Sequence, residues 1–354
     1  MKKQKAVQIF SALFGFALFI ILIIDSEGTI DAAKRSVEVC LTVIIPSLFA
    51  FMVFSGIFIK SGLGDILFFP LYKLNSFWFK GSRREFSIFI TSLFGGYPVG
   101  IKLLKEYIAY NKNYTAIAEK MLCYCYCGSP SFIIQIVGLS VLGNAAAGFM
   151  VYLSNIAACF TIAVIINIRL PKRSKYKENA AATKIRIDDF TDSIADTVKS
   201  LGIICGTILA FNIIIEMLDF CGVVKLLAPF NADKAFLSIT EISNLSLFKG
   251  NNYALLPFFA AVTSFGGFCI IAQTAALAKG KISLKGFLLS RLPASVLSGL
   301  YIYLISLAIP ISIEASSNIT LSPSFSAVDT ISTACLLIMT YILLKEAGNL
   351  RLPK

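Results

Sequence analysis

The chain has 354 residues, of which 57% are hydrophobic and 15% charged, with a mean hydropathy of +0.79. No water-soluble surface can be built from that composition, so a soluble fold is excluded; at about 20 apolar residues per crossing there is room for about seven to nine membrane spans and no separate soluble domain. The net charge of +12 lies in short loops between apolar runs without aromatic interleaving, which sets topology and does not point to nucleic acid. The absence of histidine removes Ser-His-Asp triads, histidine proton relays and most catalytic zinc sites.

In chain order, Lys2, Lys3 and Lys5 precede an unbroken apolar stretch from Ala6 to Ile24. It is longer than a signal-peptide core and lacks a small-residue cleavage site, which predicts a retained N-terminal transmembrane helix within 1–28. Further spans are expected in the apolar runs 39–59, 86–104, 131–168, 199–218, 254–278, 286–308 and 325–344; the long run 131–168 carries Gly138, Gly143 and Gly148 and is expected to contain a break. Ile30 to Glu38 and Asp188 to Lys199 alternate charged and apolar residues just before a span. Each reads either as an interfacial helix or as the solvated start of the adjoining span.

Lysine and arginine collect in the N-terminal tail, around Lys60, Lys73, Lys80, Arg83 and Arg84, in the run from Arg169 to Arg186, around Lys279, Lys281, Lys285 and Arg291, and in the C-terminal tail; the loop 309–324 has none. Placing the basic loops in the cytoplasm gives both ends inside and about eight transmembrane helices in an all-α integral membrane protein. The expected organisation is an N-terminal helix (1–28), a first repeat (29–170), a basic cytoplasmic linker (171–187), a second repeat (188–310), and a C-terminal helix and tail (311–354). Nine cysteines are present, most of them single within apolar runs, where a thiol acts as a small hydrophobe. Cys123, Cys125 and Cys127 would scatter around a helix axis, so no metal site is expected there.

Thr91-Ser92-Leu93-Phe94-Gly95-Gly96-Tyr97 and Thr263-Ser264-Phe265-Gly266-Gly267-Phe268 share a Thr-Ser, an aromatic and two glycines. On this topology they run in opposite senses, which makes two inverted repeats containing broken helices. Each mid-span glycine costs about 1 kcal/mol relative to alanine, and Pro98 removes a donor. Unwound backbone at membrane depth survives only where protein or a wet cavity satisfies it, and interrupted helices at matching positions of inverted halves point to a transporter's binding site. Glycine pairs also serve close helix packing.

Ser92-Leu93-Phe94-Gly95-Gly96-Tyr97-Pro98-Val99-Gly100-Ile101-Lys102 resembles the G-[YF]-P-[VM]-G-x-K signature of YlbJ-like sporulation integral membrane proteins, which carry a Gate, or nucleoside-recognition, type of domain. Cys127-Gly128-Ser129-Pro130-Ser131-Phe132-Ile133 is similar to that family's N-S-G-P-x-F-I stretch, Glu241-Ile242-Ser243-Asn244 to its E-[IV]-[TS]-x-G element, and Ser264-Phe265-Gly266-Gly267 with Gln273 to its S-F-G-G-x-x-x-H-x-Q element. Ile271 stands where the pattern has His, and Leu245 where a glycine is usual. The resemblance implies a role in spore formation, a location in a membrane of the developing spore, and transport of a small organic anion, dipicolinate first among candidates.

From the residues themselves, Lys102 falls two positions after Gly100 at the end of the first break, where it could join free N–H groups in holding a carboxylate or phosphate, or snorkel to the interface. Glu241 could take a coupling proton or cation, or be a solvated loop residue. Ser129, Ser243, Asn244, Ser264 and Gln273 offer neutral donors and acceptors around the breaks. The expected substrate-binding set is Gly95, Gly96, Tyr97, Pro98, Gly100, Lys102, Gly128, Ser129, Pro130, Glu241, Ser243, Asn244, Ser264, Gly266, Gly267 and Gln273. An intramembrane enzyme needs paired aspartates, a metal set or a nucleophile with its base, which the apolar runs lack, so neither catalysis nor a cofactor is expected. The competing reading is a structural or assembly membrane protein without transport activity. The expected partners are the lipid bilayer of a cell membrane, a small organic anion, and a coupling proton or cation.

Overall fold

The computed structural model describes residues 15–16, 19–110, 112–170, 187–248, 250 and 253–308. Most of the run 6–24, the basic loop 171–186, the loop around Glu314 and the run 325–344 lie outside the described residues, as does a second compact unit, Ser312–Lys354. Every regular element among the described residues is helical. Five helices are long and apolar enough to cross a membrane, namely Ser26–Lys60, Ala145–Ile168, Asp188–Phe220, Tyr253–Ala278 and Lys285–Ala308, as expected of an all-α, multi-pass membrane protein.

Helix α1 (Ser26–Lys60) absorbs the amphipathic stretch 30–38 without a break, through a π-helical turn at Cys40–Ile44. Its 35 residues reach about 52 Å at 1.5 Å per residue, more than the hydrocarbon thickness of about 30 Å. The stretch 188–199 is likewise the start of a long helix, so neither forms a separate interfacial helix. That later helix, labelled α7 below, lies antiparallel to α1. Arg35 meets Glu216 at 2.8 Å and Ser36 accepts from Asn212 at 2.9 Å near one end, while Lys60 meets Asp196 at 3.5 Å at the other.

The run 86–104 is not one continuous helix. Helix α2 (Arg83–Gly95) opens on a capping box in which Ser82 accepts from the Glu85 amide, an arrangement that satisfies two orphan donors at the helix start. It ends at Gly96, whose φ of +86° and ψ of 170° suit a residue without Cβ. Helix α3 (Tyr97–Tyr110) then folds straight back along α2. The Tyr107 hydroxyl donates to Glu85 Oε1 at 2.8 Å, whereas a straight helical path between residues 85 and 107 would separate them by about 33 Å. Residues 83–110 are therefore a helical hairpin with its tip at Gly96 and its base beside Lys60 and Asp196, with Arg84 donating to the Ile59 carbonyl at 2.6 Å.

The long run 131–168 divides as expected. Helix α4 (Thr115–Leu122) gives way to an unwound segment, then to α5 (Pro130–Val141), which begins on a Ser129 cap and finishes in π geometry. Gly143, with φ +62°, makes the turn into α6 (Ala145–Ile168), whose first amides at 146 and 147 bond Asn144 Oδ1. A Cβ on Gly148 would strike Gly138, so α5 and α6 touch backbone to backbone, the close approach that small residues permit. Glu119 accepts from the Ser283 amide, and the Leu142 carbonyl accepts from Tyr253; residues 115–142 thus extend from the level of Ser283 to that of Tyr253.

After α7 (Ile187–Phe220) come two short turns and α8 (Asp233–Thr240), which ends at an extended Glu241 and leads into a 3₁₀ segment, Ile242–Leu247. Helices α9 (Leu256–Phe265) and α10 (Gly267–Ala278) meet at Gly266 and Gly267, with φ of +90° and +73°. They do not fold back on each other: α9 packs on α6 and on α11 (Lys285–Ala308), and α10 on α3, α7 and α8. One glycine pair thus marks a hairpin tip and the other an in-line break. In the core between α6, α9 and α11, Asn155 donates to Thr263 at 2.9 Å and accepts from Ser298 at 2.5 Å.

Candidate functional site

Four interruptions of helical backbone meet around one small cavity of about 50 Å³. The hairpin tip contributes Gly96, Tyr97 and Pro98; the extended corner after α8 contributes Glu241, Ile242 and Ser243; the start of α5 contributes Ser129 and Phe132; and α10, just past its break, contributes Ile270 and Gln273. The long antiparallel helices close the sides with Val39, Ile44, Ser47 and Leu48 on and around the π turn of α1, and Ile204 and Ile208 from α7. A π turn widens a helix locally, and here it does so where the cavity needs a wall.

The polar equipment is sparse and held in place. Glu241 accepts from the Ser243 amide at 2.9 Å and from its hydroxyl, which orients the carboxylate at the head of the 3₁₀ turn. Ser129 accepts from the Phe132 amide at 3.3 Å, capping α5. Gln273 lies one turn from Cys269, its amide 3.4 Å from the sulfur. Tyr97 is buried at the tip and donates to the Thr263 carbonyl at 2.5 Å, tying the hairpin tip to the end of α9. Among the described residues, Glu241 is the one charged group lining the cavity.

The remaining expected residues support the breaks without lining the cavity. Gly100 faces the Cys125 carbonyl so closely that no Cβ fits, which is what allows α3 to pack on the unwound segment 123–129. Gly128 lies under the Tyr97 hydroxyl, and Gly266 under that of Tyr126; Gly95 closes α2 against Phe51, and Pro130 opens α5. Gly267 lies against the Ile239 carbonyl, Ser264 is buried beside it, and Asn244 reaches back to the Leu237 carbonyl at 3.4 Å.

Lys102 is the main departure. Its buried ammonium donates to the Met52 carbonyl and to Thr197 Oγ1, each at 2.9 Å, and lies among α1, α3 and α7, outside the cavity wall. It fastens the hairpin to the two long helices.

Sequence reasoning misses the apolar walls and Arg291. The Arg291 guanidinium stacks between Tyr126 and Phe287, at 4.5 and 4.9 Å from the ring centroids, and donates to the Cys123 carbonyl, so it closes the C-terminal end of α4 at the break. A lone arginine inside the apolar run 286–308 is the available signal. The three clustered cysteines are free thiols in this unwound segment, rather than on a helix around whose axis they would scatter. Compared with protein-family models, curated proteins and solved structures, the chain matches none.

Proposed function

We propose that the chain is a membrane transporter that carries a small polar solute through the cavity between Gly96, Ser129, Glu241 and Gln273. The observation that carries this reading is the convergence of four backbone interruptions on one cavity among apolar helices. Unwound backbone at that depth is costly unless it lines a site, and a packing scaffold has no use for it.

The order of elements supports an inverted repeat, with a pairing different from that of the two glycine motifs. A long helix, a fold-back ending at Gly96, a broken segment 115–142 and α6 make the first half. A long helix, a shorter fold-back ending at Glu241, a broken segment 253–278 and α11 make the second. On this pairing Gly96 corresponds to Glu241, and the break at 123–129 to that at Gly266. The antiparallel packing of α1 on α7 is what a two-fold axis in the membrane plane demands. Among the described residues this pairing gives six crossings, α1, 115–142, α6, α7, 253–278 and α11, to which the sequence adds the two expected in the runs 6–24 and 325–344, with the basic loops cytoplasmic.

In this reading the chain is a YlbJ-like sporulation protein, and dipicolinate or a similar organic acid in a developing spore's membrane remains the solute that the resemblance implies. With Glu241 in the wall and no lysine or arginine beside it among the lining residues, the cavity suits a neutral polar solute or the protonated form of an acid better than a bare dianion. Reconstitution in liposomes tests this: uptake of pyridine-2,6-dicarboxylate and of nucleosides, with and without an imposed proton gradient, is expected to exceed that of empty vesicles for one class. No uptake of either, from protein that is folded and inserted, would favour an assembly role.

A further inference from the structure

Away from the cavity, at the base of the hairpin, Glu106 presents a carboxylate that the site described above does not use. Both of its oxygens are buried and neither has a hydrogen-bond partner among the described residues. The charged groups around it are Lys102 one turn back on α3, Lys105 next to it in the chain, Lys60 on α1, Asp196 on α7 and Arg84 on the opposite limb of the hairpin. Lys60 is engaged with Asp196 at 3.5 Å, Arg84 with the Ile59 carbonyl, and Lys102 with Met52 and Thr197. An ionised carboxylate in such a place forfeits its hydration without a bond in return, which costs several kcal/mol; a neutral acid avoids most of that penalty.

We propose that Glu106 is a proton-binding site, its carboxyl taking up a proton at the basic end of the molecule and returning it as the hairpin moves. The reaction is simple dissociation, –COOH to –COO⁻ and H⁺, and requires no other reactant. Burial pushes the Glu106 carboxyl up to about 7, against the pull of Lys102 and Lys60, so it exchanges its proton near neutral pH.

The position gives the proton leverage. When Glu106 is neutral, Lys102 keeps its bonds to α1 and α7 and the hairpin stays anchored. When Glu106 ionises, the opposite charge that acts on it most strongly is Lys102, four residues back on the same helix face. Pairing with it draws the ammonium away from Met52 and Thr197 and frees α3 from both long helices. The other end of α3 is the cavity tip, nine residues or about 13 Å from Glu106. Proton occupancy at the base is thus tied to the freedom of Gly96, Tyr97 and Pro98 at the site.

The proton site can be tested without any solute, and only its use in transport rests on the function proposed above. Infrared difference titration of the purified protein is expected to show a protonated-carboxyl band lost across neutral pH, absent in Glu106→Gln and retained in Glu106→Asp. Lys102→Met removes the charge that favours ionisation, so the midpoint moves upward. Superimposable wild-type and Glu106→Gln spectra would overturn the proposal, and an unmoved midpoint in Lys102→Met would overturn the link to Lys102. In vesicles with pyridine-2,6-dicarboxylate as probe, Glu106→Gln is expected to lose the part of uptake driven by a pH gradient. Wild-type protein that titrates at Glu106 yet moves no probe would count against transport of that acid alone.

Discussion

The hairpin 83–110 and the segment 253–278 carry nearly the same Thr-Ser-aromatic-Gly-Gly signature, yet the first folds back on itself and the second continues onward. The glycines break the helix in both, with positive φ at Gly96, Gly266 and Gly267; the course of the chain beyond each break is decided by the ends of the segment. Arg83, Arg84 and Glu85 precede the first break, while Lys102, Lys105 and Glu106 come after it, so both limbs end in charge and both ends stay at the basic end of the molecule. Between Tyr253 and Ala278 there is no charged residue at all, and the segment runs its full apolar length. Local glycine chemistry makes a break, and charge at the flanks sets its direction.

The strongest way to break this comparison is to fill the glycines. At Gly100 a Cβ would meet the Cys125 carbonyl, backbone against backbone, whereas Gly202 and Gly206 on α7 face open space. Gly100→Leu is expected to cost about 3 kcal/mol of overpacking, the upper end of the usual range, and most of the folded yield, measured by size-exclusion profile in detergent. Gly206→Leu is expected to leave the profile unchanged. Equal tolerance at both positions would show that the hairpin does not press on the 123–129 segment.

The next largest effect falls on the cavity. A charge-assisted hydrogen bond contributes about 1.5–3 kcal/mol, so Glu241→Gln is expected to lower uptake by roughly one to two orders of magnitude while leaving insertion intact. Lys102→Met acts through anchorage of α3, and its effect is expected to be a few-fold and indifferent to the charge of the solute. A loss confined to anionic solutes would instead return Lys102 to the binding site.

These same residues show how much is legible in the sequence. Membrane class, the helix breaks and the split of 131–168 are readable, because hydropathy and glycine spacing are local. Seven of the residues expected at the site line the cavity, among them Gly96, Ser129, Glu241 and Gln273. The run 86–104 reads as a span because mean hydropathy averages over the charges that bracket it, and the hairpin is fixed by a tertiary bond, Tyr107 to Glu85, that no window contains. Lys102 reads as a ligand-binding group because its acceptors, Met52 and Thr197, are far away in sequence. The apolar cavity walls are mostly isoleucines, with Val39, Leu48 and Phe132, indistinguishable in composition from the other apolar runs.

Smaller effects sharpen the contrast at the base of the hairpin. Tyr107→Phe removes the bond that joins the two limbs and is expected to cost about 1 kcal/mol, seen as a lowered Tm. Between the ordinary carboxyl value of 4.5 and about 7, folded Glu106 keeps a proton that the unfolded chain has released. Stability therefore falls as pH rises through that window and is level above it. Glu106→Gln is expected to flatten this slope, and an unchanged slope would remove Glu106 as its cause.

The fold-back of 83–110 is the feature on which cavity, topology and repeat all depend, and side-specific labelling tests it most directly. Single cysteines in place of Arg83 and of Lys112, each in a background free of reactive native thiols, are treated in sealed oriented vesicles with a membrane-impermeant maleimide. Both are expected to react from the same side, the one that also labels a cysteine at Lys281. Labelling of positions 83 and 112 from opposite sides would make the segment a crossing and contradict the hairpin.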